Sequence, residues 1–244
     1  MTDVTATDYD FGLNARLGVS RRFVGEEREP VLVIDGLMRH PQALVDYAAR
    51  EVSFAPAGSA AGGYPGIRAP APLNYVSSMV SALDPVIREA FELADVVLAR
   101  AECNFSIVTL PPGDLAPSQR IPHIDTVDPL QFAFLHFLCD GRFGGTAFYR
   151  HRATGFETLT AERQRSYEQT RDRELESLGD ETGYIVGDTE HYEQTASVEA
   201  RFDRMLVYRS RVLHSGRIDR GTTLSSDPRQ GRLTANVFVN YRSV

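Results

Sequence analysis

The sequence has 244 residues, of which 42% are hydrophobic and 24% are charged, as in an ordinary soluble globular protein. This length fits one large domain or two small ones and is enough to bury a sizeable core. The 26 Lys and Arg residues against 33 Asp and Glu give a formal net charge of −7. That balance argues against a nucleic-acid partner, because non-specific binding to nucleic acid needs a basic surface.

The first residues and the cysteines give expectations about location and metal chemistry. The start, MTDVTATDYDFG, is acidic and polar, unlike a signal or transit peptide, and no apolar run is long enough to span a bilayer. We therefore expect a cytoplasmic protein with no membrane partner. The two cysteines, Cys103 and Cys139, form no Cys-x-x-Cys pair, so any bound metal is expected to use histidine and carboxylate ligands.

The first hundred residues are predicted to alternate between irregular segments and regular elements. Residues 1–29 look like a polar lead-in, and 30–35 (PVLVID) are typical of a buried strand. Pro41 suits the start of a helix, and residues 76–99 carry apolar side chains at helical spacing. The Pro- and Gly-rich residues 55–73 between the helices predict a long loop.

The remainder of the chain changes to the pattern of a β protein. Strands are predicted at 103–110, 130–138, 144–150, 204–209 and 232–241. A charged, solvated helical insertion is predicted over 157–180, and residues 179–200 are expected to be irregular, with a short strand at 183–187. The fold class expected is mainly β with flanking helices, a β-sandwich or small barrel in one domain. Residues 1–100 would support a core at 101–244.

Three side chains in the strand-rich part have the pattern of a metal site. His123 and Asp125 lie two residues apart in IPHIDTVD, and residues i and i+2 of an extended segment point to the same side. His214 follows another strand in VLHSGR. Two histidines and one carboxylate form the facial triad of non-heme Fe(II) oxygenases. The His-x-Asp pair alone is a weak signal and could equally cap a loop.

A basic residue at the start of the last predicted strand complements this triad. Arg232 and Thr234, in RLTANVFVNYR, would share one strand face with Asn236. An arginine offers a planar fork that matches a carboxylate, and a hydroxyl two residues on could bind the same group. A dicarboxylate that chelates a metal at one end needs such a partner at the other. A solvated arginine at a strand end is the alternative.

With these motifs the chain resembles the 2-oxoglutarate/Fe(II)-dependent dioxygenase superfamily over roughly residues 100–244. GGTAFY at 144–149 is similar to a Gly-Gly stretch of its prolyl-hydroxylase-like branch, and LPPGDLAPSQRIPHID and RLTANVFVNYR resemble an uncharacterised bacterial group. The resemblance implies a double-stranded β-helix (jelly-roll, cupin-like) core. It also implies Fe(II), 2-oxoglutarate and O2 as cofactors, with succinate and CO2 as products.

The resemblance also implies residue roles and a reaction. His123, Asp125 and His214 would bind the metal, and Arg232 with Thr234 would hold the distal carboxylate of 2-oxoglutarate. The stretch from His214 to Arg232 is longer than is common in the family, so Arg217 or Arg220 remain alternatives to Arg232. The substrate would be a small molecule, amino acid or peptide. Because related halogenases lack the triad carboxylate, Asp125 favours hydroxylation or another oxidation over halogenation.

Two other functions remain open. One is a cupin-type metalloenzyme that uses the triad without 2-oxoglutarate, and the other is a non-catalytic binding protein on a degenerate jelly roll. The 157–180 insertion could be a solvated face, a substrate lid or the contact of a homodimer. YPGIR at 64–68 could fold over the metal mouth, with Tyr64 and Arg68 touching substrate, or could be a surface connection.

The remaining histidines are expected to be structural or exposed. His136 lies within FAFLHFL and is predicted to be a hydrogen-bonded core residue, although it could touch the co-substrate. His151 is predicted to be exposed at a strand end, His40 to lie at a helix start and His191 to lie in a charged loop.

Overall fold

The computed structural model describes residues 9–59, 62–177 and 183–244, and within them the chain is mainly β with three α-helices. The strands are β1 (Gly18–Val24), β2 (Glu29–Asp35), β3 (Ala55–Ser59), β4 (Gly62–Pro70), β5 (Val96–Val108), β6 (Gln131–Phe137), β7 (Gly145–His151), β8 (Tyr192–Glu199), β9 (Arg204–Arg209), β10 (His214–Arg217) and β11 (Leu233–Ser243). The helices are α1 (Gln42–Arg50), α2 (Leu73–Ala90) and α3 (Ala161–Ser177). As far as the structure describes them, none of these helices is long and apolar enough to cross a membrane.

The strands form two antiparallel sheets. The large sheet has the order β1-β2-β9-β6-β11-β5-β4-β3, and the small sheet has the order β10-β7-β8. The last strand in the chain, β11, lies inside the large sheet and pairs with β5 on one side and β6 on the other. The large sheet therefore combines strands from both ends of the described chain.

Three apolar clusters show how the layers stack. One joins α1 and α2 to the large sheet, a second fills the space between the two sheets, and a third joins the small sheet to α3. Strand β2 shows the two-residue period behind this arrangement: Leu32 and Ile34 pack in the first cluster, while Val31 and Val33 pack in the second. The layers are therefore helices, large sheet, small sheet and helix.

The interior strands agree with the sequence prediction. Strand β6 was expected to be apolar on both faces, and Phe132 and Phe134 pack toward the helices while Ala133 and Phe137 pack between the sheets. The predicted strands at 30–35, 144–150 and 204–209 correspond to β2, β7 and β9. The final strand starts one residue later than predicted, at Leu233.

The prediction of a loop over residues 55–73 was wrong for its described part, because Ala55–Ser59 and Gly62–Pro70 form the antiparallel strands β3 and β4 and α2 begins at Leu73, while residues 60 and 61 lie outside the described residues. Proline is tolerated in β3 because that strand lies at the edge of the large sheet. In β4, Gly66 pairs with Val108, and a Cβ at this position would lie 2.0 Å from the carbonyl oxygen of Ile107. Here glycine permits a close approach between two strands rather than marking a loop.

The second helix, predicted over 76–99, ends earlier in the structure than in the prediction. Helix α2 ends at Ala90, and residues 96–99 belong to β5. The chain turns between them through Glu92 and Asp95, which have φ angles of 56° and 51°. The β-branched Val96 and Val97 then pair with β11. These residues therefore form a strand, although their spacing predicts a helix.

Two edge strands were missed because their sequences are polar. Residues 1–29 were expected to be only a lead-in, yet within their described part, 9–29, strand β1 pairs with β2. Residues 179–200 were expected to be irregular, but Tyr192–Glu199 forms β8, while 183–187 forms no strand. An edge strand with one solvated face and few apolar side chains gives a weak two-residue pattern.

The predicted helical insertion at 157–180 contains α3, although residues 178–180 of the prediction lie outside the described residues. The helix is not simply solvated. Tyr167 is buried in the cluster that joins the helix to the small sheet, and its hydroxyl lies 3.1 Å from that of Tyr192. Arg163 forms an ion pair with Glu27. The insertion thus covers the outer face of the small sheet.

Candidate metal and dicarboxylate site

A cavity of about 900 Å³ opens between the two sheets. Its walls come from β4, β5, β6, β9 and β11 of the large sheet, from β7 and β10 of the small sheet, and from the segment that precedes β6. This volume lies within the usual range for a small-molecule site. The cavity brings together residues that are far apart in the sequence.

Backbone pairing places the His-x-Asp segment beside the start of β10. The amides of His123 and His214 each donate to the other residue's carbonyl at 2.9 Å, which forms an isolated antiparallel bridge. The amide of Asp125 donates to the carbonyl of Ser210 at 2.9 Å. The extended segment therefore presents His123 and Asp125 on the same side, next to the distal histidine.

The three side chains converge on one point. The Nε2 atoms of His123 and His214 lie 3.9 and 3.8 Å from carboxylate oxygens of Asp125, and one donor atom from each residue lies within 4.8 Å of the others. A point then exists within about 2.8 Å of all three donors (4.8 Å divided by √3). Bonds from nitrogen and oxygen ligands to zinc are about 2.0–2.2 Å, so shifts of under about 1 Å would close the site on an ion of that size.

The protonation of the histidines suits metal binding. Nδ1 of His214 lies 2.8 Å from the carbonyl of Val212 and must donate to it, which leaves the Nε2 lone pair directed at Asp125. Burial lowers the pKa of His214 to about 4. Desolvation and the neighbouring His214 also lower the pKa of His123, although 54% of its side chain is exposed. Both rings are therefore neutral at pH 7, which is the form that binds a metal.

The carboxylate of the triad lies between the two imidazoles, and 18% of its side chain is exposed. Burial raises the pKa of Asp125, and the nearby His123 and Arg68 oppose that rise. A divalent cation would compensate the cost of keeping this carboxylate charged. Two neutral imidazoles and one carboxylate thus form a donor set that fits a divalent ion such as Fe(II).

A buried arginine, Arg232, lines the same cavity as the triad. The Nε and Nη2 groups of Arg232 donate to the carbonyls of Phe143 and Gly145, at 3.1 and 2.7 Å. Its guanidinium lies 3.7–4.0 Å from the position that a Cβ on Gly216 would take. Since Gly216 is two residues beyond His214 on β10, the arginine lies about 6.6 Å along the strand from the triad.

The backbone explains why the Gly-Gly stretch surrounds this arginine. Gly144 has a φ angle of 77°, and a Cβ on it would lie 2.0 Å from the carbonyl oxygen of Arg217. A Cβ on Gly145 would lie 2.1 Å from the carbonyl oxygen of Val198. Side chains at these positions would force the small sheet apart, so the two glycines preserve the backbone that anchors Arg232.

The other two candidate arginines point elsewhere. Arg217 pairs with Asp219, with nitrogen–oxygen distances of 3.1 and 3.2 Å, and Arg220 is exposed. Neither is among the residues that line the cavity, whereas Arg232 is. Of the three, the position of Arg232 best suits a ligand that also reaches the triad.

The hydroxyl of Thr234 has a different position from the one that the sequence suggested. Thr234 is fully buried and donates to Oδ1 of Asn236 at 2.7 Å, and the cavity is lined by Arg232 and Asn236 instead. A direct contact from Thr234 to a carboxylate would require this hydrogen bond to break. Its role as a carboxylate ligand stays a prediction.

Tyr208 and Asn240 line the cavity although the sequence did not assign them to the site, whereas Tyr64 and Arg68, which the sequence named as possible substrate contacts, also line it. Tyr208 packs its ring against His214 at a centroid distance of 4.9 Å. Tyr64, on β4, has a buried hydroxyl with no hydrogen-bond partner among the described residues, and burial raises its pKa, with Arg232 and Arg68 opposing that rise. The pattern around Tyr64 gave no sign of a strand. Asn240, in contrast, follows Asn236 at the two-residue period of β11.

The remaining histidines lie outside the triad. His136 is buried, with Nδ1 3.0 Å from the hydroxyl of Tyr75 and Nε2 3.1 Å from Asp203, so the prediction of a core residue is confirmed. The prediction that His151 is exposed was wrong, because α3 covers it and Glu174 lies 2.7 Å from its Nε2. His40 is exposed at the start of α1, and His191 lies near Glu174.

Comparison with known families gives a match over most of the chain. The model of a family described as "Family of unknown function (DUF6445)" matches residues 15–239. No curated protein matches the sequence.

Comparison with solved structures gives weaker likenesses. The non-heme alpha-ketoglutarate-dependent epimerase SnoN, from nogalamycin biosynthesis, is 13% identical with a TM-score of 0.47, covering 89% of this chain and 79% of its own. An N-substituted L-amino acid dioxygenase from Burkholderia ambifaria AMMD is 12% identical with a TM-score of 0.38, covering 88% of this chain and 83% of its own. Its complex with alpha-KG is 11% identical, covering 88% and 82%, with a TM-score of 0.33. At such low scores the site geometry has to carry any functional inference.

Proposed function

The chain belongs to DUF6445, a family of unknown function, and we propose that it is an Fe(II)- and 2-oxoglutarate-dependent oxygenase. The reaction proposed is the hydroxylation of a small molecule, amino acid or peptide, with formation of succinate and CO2. We also propose that the two sheets are the halves of a double-stranded β-helix, whose interior is the cavity.

One observation carries this proposal: the triad and Arg232 line the same cavity at a separation that suits a short dicarboxylate. Donor atoms of His123, Asp125 and His214 lie within 4.8 Å of one another, and Arg232 lies beside Gly216, two residues further along β10. A metalloenzyme that did not use a dicarboxylate would have no need of a buried cation at this place. This favours the 2-oxoglutarate-dependent alternative over the cupin-type one.

The triad would bind the metal ion, and the bound ion would supply the redox chemistry. His123, Asp125 and His214 would hold the ion by one face and leave the opposite face open to the cavity. When bound, Fe(II) would supply the redox chemistry that couples O2 reduction to 2-oxoglutarate decarboxylation and substrate oxidation.

The side chain of Arg232 is preorganised for binding a carboxylate. Its two backbone hydrogen bonds hold the guanidinium in place before a ligand arrives, so little side-chain entropy is lost when a carboxylate binds. Its Nη1 group makes no hydrogen bond within the described residues and is left for the distal carboxylate. The buried hydroxyl of Tyr64, which lines the same cavity as Arg232, is a second candidate donor to that carboxylate.

The test is an anaerobic titration of the metal-free protein with Fe(II) and 2-oxoglutarate. We expect a visible metal-to-ligand charge-transfer absorption and, after O2 is admitted, slow succinate formation without added substrate. Asp125→Ala and His214→Ala should lose both signals. His40→Ala, which changes an exposed histidine, should keep both.

Two results would decide against the proposal in different ways. Iron binding with no charge-transfer absorption and no succinate would point to the metalloenzyme that does not use 2-oxoglutarate. Failure to retain iron, manganese or zinc after reconstitution would point to a binding protein without catalysis.

A further inference from the structure

The cavity holds a second cationic group that the proposed co-substrate does not use. Arg68, on β4, lines the wall and donates from Nε to the hydroxyl of Ser106 at 3.2 Å. Its guanidinium also lies over the ring of Tyr64, 4.6 Å from the centroid. These two contacts fix the plane of the group, while both Nη atoms make no hydrogen bond or ion pair within the described residues.

Register across the sheet shows where Arg68 lies relative to the rest of the site. Arg68 pairs with Ser106, and Ser106 pairs with Thr234, so the three residues form one row across β4, β5 and β11. Neighbouring strands are about 4.8 Å apart, so Arg68 lies about two strand spacings from Thr234. The arginine is therefore offset sideways from the strand that leads to Arg232, toward the edge of the sheet.

Arg68 also shares its cavity with the triad. The arginine and all three candidate metal ligands, His123, Asp125 and His214, line the same space between the sheets. A ligand held by Arg68 would therefore lie in the cavity onto which the metal ligands open.

The charges inside the cavity call for one more anion. The other arginine on this wall, Arg100, is already paired with Glu102. With Fe(II), a doubly charged 2-oxoglutarate, ionised Asp125, Arg232 and Arg68, the remaining charges add to +1. One carboxylate would neutralise this sum, and an unpaired charge in a partly desolvated site is costly.

The rest of this wall offers neutral polar groups between apolar ones. Gln131 and Asn240 are cross-strand partners, with Nε2 of the glutamine 3.5 Å from Oδ1 of the asparagine. Oδ1 of Asn236 accepts from Thr234, so its Nδ2 is left to donate to a ligand. Ala133 and Leu135 line the cavity between these amides. Such a surface suits a small polar molecule with no second charge.

We infer that Arg68 binds the carboxylate of the primary substrate, and that the substrates are small organic acids with one free carboxylate. This inference rests on the proposed function, because it takes the co-substrate carboxylate to be held by Arg232. The amides of Asn236, Gln131 and Asn240 would then bind the uncharged remainder of the substrate. Held between Arg68 and the triad, the acid would present a C–H bond close to its carboxylate.

The experiment compares small acids with their primary carboxamides, which have nearly the same shape but no charge. The full chain is loaded with Mn(II) and saturating 2-oxoglutarate without O2, so that no turnover occurs and the co-substrate site is filled. Binding of a panel of straight-chain, aromatic, hydroxy and amino acids, each paired with its amide, is measured by ligand-observed NMR. We expect some acids to bind at least about tenfold more tightly than their amides, as for a charge-assisted hydrogen bond.

Variants assign this preference to one side chain. Arg68→Gln should remove the preference for acids, and Arg68→Lys should retain part of it. Arg142→Gln, which changes an exposed arginine outside the cavity, should retain all of it. The charge-transfer absorption with Fe(II) and 2-oxoglutarate should persist in Arg68→Gln, which also shows that the variant is folded.

The outcomes separate this inference from the proposed function. If acids bind the wild-type protein no better than amides, whether both bind or neither does, Arg68 is not a carboxylate site. The same conclusion follows if Arg68→Gln keeps the preference, or if it weakens 2-oxoglutarate binding tenfold or more. Absence of the charge-transfer absorption in the wild-type protein would instead contradict the proposed function.

Discussion

Arg232 donates a 2.7 Å hydrogen bond from Nη2 to the carbonyl of Gly145, and this contact joins the start of β11 to the start of β7. Nε of the same side chain donates to the carbonyl of Phe143. The arginine therefore binds the residues on either side of Gly144, which has a φ angle of 77°. The cation and the Gly-Gly turn are therefore parts of one arrangement. A change in either should affect the other.

The first prediction concerns the side chain of this pair. Arg232→Ala removes the cation and should raise the dissociation constant of 2-oxoglutarate about tenfold or more, since hydrogen bonds to charged groups contribute about 1.5–3 kcal/mol. Fe(II) affinity should change little, because the triad is intact. Arg217→Ala, which removes the neighbouring arginine that pairs with Asp219, is the control and should bind 2-oxoglutarate normally. Titration of the charge-transfer absorption measures the dissociation constant of 2-oxoglutarate in each variant. An equal loss of 2-oxoglutarate affinity in the two variants would contradict the assignment of Arg232.

The second prediction concerns the turn. Gly144→Ala combines a left-handed conformation with a Cβ only 2.0 Å from the carbonyl oxygen of Arg217, and should lower the free energy of unfolding by about 3 kcal/mol or more. Gly155→Ala has a similar φ of 72° but nothing within 4 Å of its Cβ, so it should cost only about 1–2 kcal/mol. Urea unfolding compares the two. Similar losses would mean that the contact with Arg217 does not constrain the turn.

A third prediction follows from the ion pair between β2 and β9. Two hydrogen bonds from Arg204, at 2.6 and 2.9 Å, hold the pKa of Asp35 below its ordinary value of 3.8. The stabilisation is therefore present above about pH 4 and is lost as the pH falls through the lowered pKa. Since Asp35 is 39% exposed, we expect about 0.5–1 kcal/mol.

The test of that pair is urea unfolding between pH 2 and pH 7. Asp35→Asn should show a shallower loss of stability below about pH 4 than the wild type, and Arg204→Gln should show the same change. Combining the substitutions should add little to either alone. A variant curve parallel to the wild-type curve would exclude this contribution.

The fourth prediction separates a structural histidine from the triad. His151 is fully buried, with Thr154 and Glu174 2.8 and 2.7 Å from its ring nitrogens. His151→Ala should therefore cost about 2–4 kcal/mol through lost packing and hydrogen bonds. The charge-transfer absorption should remain, since this residue belongs to the contact between β7 and α3. Loss of iron binding in a folded His151→Ala protein would show that α3 supports the metal site.

The elements that could be predicted from the sequence are those whose pattern reflects burial. Strand β6 carries apolar side chains on successive positions, and most of β11 alternates apolar with polar ones, so the surroundings of their faces were implied by the residues themselves. The edge strands β1 and β8 are mostly polar and owe their structure to a single paired neighbour. Strand β8 pairs with β7 across the whole of α3, so no short window of sequence contains its pairing. Strand β1 pairs with the adjacent β2, and its pattern is weak because six of its seven residues are exposed.

The candidate site was predictable to the extent that it obeys local spacing. His123 and Asp125 share a side because they are two residues apart, and Asn236 shares the face of β11 that lines the cavity. Tyr64 and Arg68 were assigned to a loop, because proline and glycine mask a strand when their partner β5 is unknown. The burial of His151 depends on α3, which lies on the opposite side of its strand's sheet from the cavity.

The position of β11 between β5 and β6 has a consequence for synthesis on the ribosome. Six of the other seven strands of the large sheet have been synthesised by residue 137, yet the strand that fills the gap between two of them spans Leu233–Ser243. Until it leaves the exit tunnel, β5 and β6 expose unpaired backbone edges. Folding of the nascent chain must therefore be completed late, and premature termination even ten residues before Ser243 would leave a divided sheet that chaperones or proteases recognise.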